Sequence, residues 1–153
     1  MTAVLDVQNL GVTFRQDGRL IEAVRGVSFT VGRGETVALV GESGSGKSVT
    51  ALSTVALLPD SAGVTGSIIY NGQQMVGADA AQLRRVRGND ISFIFQEPMT
   101  SLNPLHTIET QLAESLALHQ SLSGAAARPR IIELLEKVGI REAESRLGAY
   151  PHQ

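Results

Sequence analysis

The sequence predicts an α/β fold in which a β-rich first part leads into a strand, a glycine-rich loop and a helix, and in which the final part is helical. Two observations carry this prediction. A short β-branched run at 36–40 is followed at once by the glycine-rich stretch 41–48. Apolar residues alternate along the first part, as on half-buried strands, whereas beyond residue 104 they recur at helical spacing.

The composition limits the classes of protein. At 153 residues with 42% hydrophobic content, the chain is one ordinary domain or part of a larger one. A net charge of −2 argues against a nucleic-acid binder that relies on bulk positive charge. There is no cysteine, which fits a reducing compartment, and no secretory signal is visible at the N-terminus. The longest mostly apolar stretch, 49–58, falls short of the roughly 20 residues that a membrane-spanning helix needs.

The first part is expected to form strands on either side of short turns. Alternation at 4–8 and 12–14 predicts strand, and Asp17-Gly18 predicts the turn that follows. Residues 23–31 predict the next strand. The run 36–40 is expected to be a buried strand, and the apolar stretch 49–58 is expected to continue the helix that begins at the end of the glycine loop.

The middle of the chain predicts a strand, a helix and a second buried strand. The strand at 66–72 ends in Asn-Gly, a strong turn signal, and 80–87 reads as a short helix. This helix carries the arginine cluster Arg84, Arg85 and Arg87. Because no aromatic residue is interleaved with these arginines, a solvated helix face is favoured over a nucleic-acid contact. The buried strand is expected at 91–95.

The final part is expected to be helical after a Pro/Asn/Ser loop at 98–104. Ile108, Leu112 and Leu116 recur at a spacing of four, which places them on one helix face. Two more helices are expected, at 125–138 between the N-cap Ser123 and the terminating Gly139, and at 141–147.

The stretch 41–48 fits the phosphate-binding pattern G-x-x-x-x-G-K-[ST] at every fixed position. Glycine at 41 and 46 lets the loop wrap closely around phosphate oxygens, and the helix that follows points its free N–H groups at the same anion. Lys47 adds a positive charge for the β- and γ-phosphates, and Ser48 supplies a hydroxyl oxygen for Mg²⁺. The chain has only two lysines, Lys47 and Lys137, so a lysine in this loop is not incidental charge. The alternative, an ordinary Gly/Ser-rich turn, does not explain why both flanks agree with the motif.

Together with three further segments, the loop resembles the ATP-binding subunit of ABC transporters. Phe14 lies where that family places an adenine-stacking aromatic, although a core phenylalanine on a strand is an equal alternative. The segment 95–98, Phe-Gln-Glu-Pro, resembles the family's Q-loop. The segments 96–104 and 150–153 resemble the subgroup that serves dipeptide, oligopeptide and nickel importers.

The resemblance implies an ABC-type P-loop NTPase core at 1–97 and an incomplete helical subdomain at 98–153, ending before the family's signature motif. It implies ATP and Mg²⁺ as cofactors, with Lys47 and Gln96 as catalytic residues and Ser48 and Gln96 as Mg²⁺ ligands. The residues expected to bind the nucleotide are Phe14, Gly41, Glu42, Ser43, Gly44, Ser45, Gly46, Lys47, Ser48 and Val49.

The implied partners are membrane permease subunits, a second ABC ATPase subunit and, indirectly, an extracytoplasmic substrate-binding protein. No nucleic-acid partner is expected. The implied location is peripheral, at the cytoplasmic face of the membrane. Because the family's Walker B carboxylates and switch histidine have no counterpart in 1–153, we expect this chain by itself to bind Mg·ATP but not to hydrolyse it at a meaningful rate.

Three competing interpretations remain. A soluble ABC protein acting in repair or translation shares the fold, but the segment 96–104 favours a transport subunit. A truncated, non-catalytic nucleotide-binding fragment is a different class of protein. A P-loop kinase or GTPase fits the loop but neither Gln96 nor the helical final part. Histidines 106, 119 and 152 lack the spacing of metal ligands.

Overall fold

The computed structural model describes residues 3–97 and 101–153. The chain divides into two compact units, Met1–Ile91 and Ser92–Gln153. The first unit holds the described strands and two helices, and the second unit holds the remaining helices. The α/β character predicted from the sequence is confirmed, and the described part of 101–153 contains helices and no strand.

An antiparallel sheet with strand order β2-β1-β3-β4 forms the first unit. Its strands are β1 (Ala3–Gln16), β2 (Arg19–Gly32), β3 (Ala62–Tyr70) and β4 (Gln73–Gln74). Asp17 and Gly18 (φ 49° and 76°) join β1 to β2, and Asn71 and Gly72 (φ 44° and 81°) join β3 to β4. Two successive residues in the left-handed region are what a tight hairpin turn requires, so both predicted turns are confirmed.

The register of β1 against β2 shifts at four points, and one of them lies between Val12 and Thr13 of β1. Val12 lies opposite Val24, whereas the next residue of β1, Thr13, lies opposite Glu22. Ala23 is therefore an extra residue of β2 without a partner on β1. An extra residue of this kind bends the strand and redirects its backbone groups away from the ladder.

Helices α1 (Lys47–Ser53) and α2 (Ala80–Val86) complete the first unit. The side chain of Asp79 caps α2 by accepting a hydrogen bond from the backbone N–H of Gln82 at 2.7 Å. Apolar side chains from the sheet and from α2, together with residues that follow α1 and β4, form the core of this unit: Val7, Leu10, Val12, Val24, Val55, Ile68, Met75, Leu83 and Val86.

Two predicted strands are wrong. Residues 36–40 and 92–95 belong to no strand, Ile91 forms only an isolated bridge with Arg87, and Val40 and Ile94 are 88% and 101% exposed. A strand exists only through the ladder hydrogen bonds that a neighbour supplies. Among the residues that the structure describes, neither segment has such a neighbour. The apolar pattern is typical of a strand, but the described ranges hold no ladder partner for either segment.

The second unit contains α3 (Ile108–Gln120), a 3₁₀ turn (Gly124–Ala126), α4 (Ala127–Lys137) and α5 (Ala143–Arg146). The buried residues of its core are Leu116, Ala127, Ile131, Leu135, Ala143 and Leu147. Gly139 (φ 84°) follows the end of α4, as predicted. None of the helices in the described ranges has both the length and the hydrophobicity to cross a lipid bilayer.

Two helix boundaries differ from prediction. Helix α1 ends at Ser53 rather than near residue 58, because Ala56 adopts a left-handed conformation (φ 54°) that an α-helix cannot continue through. Ser123 does not cap α4, since the chain first makes the 3₁₀ turn and the Ser123 side chain makes no capping hydrogen bond.

Candidate functional site

An open cavity of about 500 Å³ lies between the glycine loop 41–48 and strand β2. The wall formed by β2 runs from Glu22 to Arg25 and includes Val27. Five of the residues predicted to bind nucleotide line the opposite wall: Gly41, Gly44, Ser45, Gly46 and Lys47. The remaining predicted residues of the loop and first helical turn are Glu42, Ser43, Ser48 and Val49. This volume lies within the range typical of small-molecule sites.

The close approach between Gly46 and β2 fixes the loop to the sheet. Gly46 has φ 88°, and a Cβ added there would lie 2.6 Å from the carbonyl oxygen of Ala23 and 3.3 Å from Val24 Cγ2. Ala23 is the residue that the register shift leaves without a partner on β1. Only glycine satisfies both conditions at position 46, the positive φ and the contact with a backbone carbonyl.

The contribution of Ala23 was missed in the sequence analysis, which treated 23–31 as an ordinary strand. Gly26 (φ 69°) marks a second register shift of β2, but the residue type at Ala23 itself does not signal the first. The requirement for glycine at 46 was the available clue that another backbone segment lies against the loop.

Lys47 folds back over its own loop. Its Nζ donates hydrogen bonds to the carbonyl oxygens of Gly41 at 2.8 Å and Glu42 at 2.5 Å, and to Ser45 Oγ at 3.2 Å. Ser45 Oγ also lies 2.7 Å from where a Cβ on Gly41 would stand. The ammonium group is therefore held at the mouth of a preformed loop rather than extended into solvent.

The start of α1 presents the remaining groups of the motif. Gly46 precedes the helix, and the N–H of Thr50 donates to the Gly46 carbonyl at 2.8 Å. Thr50 and Ser53 are buried, whereas Ser48 is exposed. Buried threonine and serine anchor α1 in the unit, and the Ser48 hydroxyl stays accessible.

Charges at the cavity are few. Arg25 Nε lies 2.9 Å from Glu22 Oε2, and both side chains are largely exposed. The clearest pKa shifts in the described residues lie outside the cavity. Burial, with a smaller contribution from Asp90, raises the pKa of Tyr70. Hydrogen bonds from Lys137 and Arg130 lower the pKa of Glu133 to about 2.

The other predicted site residues lie apart from the loop or in the second unit. Phe14 is half-buried on β1, between Ile21 of β2 and Ala62 of β3, and is not part of the cavity lining. Gln96 belongs to the second unit and is exposed. Of the segment 96–104, residues 98–100 lie outside the described residues.

The remainder of that segment is organised by a side chain that the sequence analysis did not single out. Gln111 Oε1 accepts a hydrogen bond from the Asn103 N–H at 2.8 Å, and its Nε2 donates to the carbonyls of Asn103 at 2.9 Å and His106 at 3.0 Å. Asn103 in turn accepts from the Leu105 N–H through Oδ1 at 2.9 Å. The first turns of α3 thus hold the loop in a fixed shape.

An open cavity between a strand and a glycine loop, with a lysine and a serine at the start of the following helix, defines a P-loop nucleotide-binding protein. The ABC transporter family model matches residues 24–153. The chain belongs to the ABC transporter family.

Relatives and solved structures agree with this family. The chain is 58% identical over 152 residues to the peptidoglycan transport ATP-binding protein YejF of Agrobacterium fabrum, covering 98% of this chain and 28% of that protein. It is 46% identical over 154 residues to the oligopeptide transport ATP-binding protein OppD of Mycobacterium bovis, covering 100% and 25%. It also matches the dimeric, ADP- and Pi-bound ATP-binding cassette MJ0796 with a TM-score of 0.80 and 25% identity, covering 97% and 62%.

The chain therefore spans only about a quarter of the length of these two curated relatives. The ABC-type fold predicted from the sequence is confirmed by the family match and by the likeness to the cassette.

Proposed function

We propose that this chain binds Mg·ATP through the loop 41–48, as part of the ATP-binding, energy-coupling subunit of an ABC importer of the peptide type. The observation that carries the proposal is the loop itself. Gly41 and Gly46 place no side chain in the concave surface of the loop. Lys47 donates hydrogen bonds to two carbonyls of the loop, beside an open cavity. Phosphate oxygens are the ligands that such a cradle accommodates.

Each group of the loop has a defined role in this proposal. Backbone N–H groups of the loop and of the first turn of α1 bind the phosphates, and Lys47 adds positive charge. The exposed Ser48 hydroxyl fits Mg²⁺, a hard cation that takes oxygen ligands. Bound Mg²⁺ supplies neutralisation of the phosphate charge. We also propose that Gln96 is a second Mg²⁺ ligand and that Phe14 contacts the adenine.

The peptide-importer assignment rests on the relatives. Three relatives that match nearly the whole chain carry peptide import, oligopeptide transport or peptidoglycan transport in their names. For this chain we accordingly propose membrane permease subunits and a second ATPase subunit as partners, a substrate-binding protein outside the membrane, and a peripheral position at its cytoplasmic face. We further propose that 1–97 forms the nucleotide-binding core and 98–153 the helical subdomain.

Titration of the purified chain with Mg·ATP tests nucleotide binding. Lys47→Ala should weaken binding by about 10- to 100-fold, because a charged donor to the phosphates is lost. Lys137→Ala is a matched control, since it removes the only other lysine, from the exposed surface of α4. The proposal fails if the unaltered chain does not bind Mg·ATP, or if the two variants bind it equally well. Co-purification with a two-component membrane permease tests the transport assignment separately.

A further inference from the structure

Arg87 differs from its two neighbours in the arginine cluster. Arg84 and Arg85 are exposed on α2, whereas Arg87 is half-buried at the position that ends the helix. Its Nε donates to the carbonyl oxygen of Val55 at 2.8 Å, and its Nη2 donates to the carbonyl oxygen of Ala56 at 2.7 Å. The solvated helix face predicted for the cluster therefore describes Arg84 and Arg85 but not Arg87.

The two carbonyls lie just beyond the end of α1. Beyond Ser53, the N–H of Leu57 donates to the Leu52 carbonyl at 3.0 Å, and the N–H of Ala56 donates to the Ser53 carbonyl at 3.1 Å. This pair of bonds, with Ala56 in the left-handed region, is a Schellman closure of the helix. The carbonyls of Val55 and Ala56 point out of this closure without partners from α1 itself, and the Arg87 guanidinium binds both.

The arginine is itself held by a tight turn. The Arg87 N–H donates to the Leu83 carbonyl at 2.9 Å, and the Gly88 N–H donates to the Ile91 carbonyl at 2.8 Å. The N–H groups of Asp90 and Ile91 both donate to the Val86 carbonyl at 3.0 Å. The guanidinium therefore extends from a backbone that is fixed by several hydrogen bonds.

We propose that Arg87 is a positioning residue for the nucleotide site, acting through α1. Lys47 and Ser48 occupy the first turn of a helix of only seven residues, which is about 10 Å long. A cation at the C-terminal end of this helix complements its dipole, and its two hydrogen bonds fix the end opposite the loop. With that end fixed, the groups at the phosphate end are held in place.

The planar fork of arginine is the chemical reason for this residue type. One guanidinium reaches two neighbouring carbonyls at once through separate N–H groups, whereas an ammonium group is a compact point donor. Arg87→Lys should therefore keep the charge but restore only part of the hold on α1. Arg87→Gln removes both the charge and the fork.

Amide hydrogen exchange of the nucleotide-free chain tests the hold on α1. In Arg87→Gln the amides of Thr50, Ala56 and Leu57 should exchange about tenfold faster, while those of the β1–β2 hairpin keep their rates. Arg87→Lys should lie in between, and Arg84→Gln, the same change on the same helix, should match the unaltered chain. Equal acceleration in helix and hairpin would mean a general loss of stability and would overturn the proposal, as would unchanged rates in α1.

Mg·ATP titration of the same variants tests the consequence, which depends on the function proposed above. Affinity should fall severalfold in Arg87→Gln, recover in part in Arg87→Lys and stay unchanged in Arg84→Gln. Unchanged affinity in Arg87→Gln overturns the positioning role. If the unaltered chain does not bind Mg·ATP, the proposed function fails, while exchange confined to α1 still supports the hold of Arg87 on the helix.

Discussion

Substitution of Gly46 by alanine should destabilise the nucleotide-free chain more than the same substitution at Gly44. Both glycines have positive φ, 88° and 79°. A left-handed conformation costs an ordinary residue about 1–2 kcal/mol. At Gly44 nothing lies within 4 Å of an added Cβ, whereas at Gly46 the Cβ would stand 2.6 Å from the Ala23 carbonyl oxygen.

The contact of the added Cβ with the Ala23 carbonyl oxygen distinguishes Gly46→Ala from Gly44→Ala. Ala23 O is a backbone atom of the sheet and cannot rotate away, so relief requires the loop or β2 to move, at a cost typical of overpacking, about 1–3 kcal/mol. We therefore expect Gly44→Ala to lower the free energy of unfolding by about 1.5 kcal/mol and Gly46→Ala to lower it by about 3 kcal/mol. Urea unfolding followed by circular dichroism measures both values. Equal losses would refute the contact with Ala23 as the reason for glycine at 46.

Three further results are expected. Ala56→Gly should raise the free energy of unfolding by about 1 kcal/mol, because φ 54° suits glycine. A lower midpoint temperature than that of the unaltered chain in thermal unfolding would contradict this. Glu133 has a pKa lowered from 4.5 to about 2, chiefly by Lys137, so its small, solvent-screened contribution to stability is present above pH 4.5 and is lost as the pH falls toward 2. The stability difference between the unaltered chain and Glu133→Gln should shrink over that range in acid unfolding, and a constant difference would count against the ion pair. In Gln111→Ala the Asn103 amide loses its acceptor and should exchange about tenfold faster, which unchanged protection would disprove.

Local patterns predicted the hairpins and the helices well. Asp17-Gly18 and Asn71-Gly72 specify turns through their own backbone preferences, and the apolar spacing of 108–116 specifies α3. These signals need no information from distant parts of the chain. The phosphate loop was recognised for the same reason, because all the fixed positions of its motif lie within eight consecutive residues, 41–48.

Features that depend on distant neighbours could not be predicted. The runs 36–40 and 91–95 have the composition of buried strands, but a strand also needs a partner, and their apolar pattern does not reveal one. Arg87 looks like Arg84 in sequence and differs only because α1 ends beside it. Ala23 is an ordinary strand residue until the register shift turns its carbonyl toward Gly46.

The number of residues between the hairpin tip and Ala23 determines where the Ala23 carbonyl lies against the phosphate loop. A residue inserted at the hairpin tip, Asp17-Gly18, leaves the pairing of Val12 with Val24 in place and keeps Ala23 against Gly46. An insertion within 19–22 that slides β2 against β1 moves the Ala23 carbonyl by about 3.3 Å and turns the neighbouring side chains to the opposite face of the sheet. Length variation should therefore be tolerated at the tip and disfavoured between the tip and Ala23.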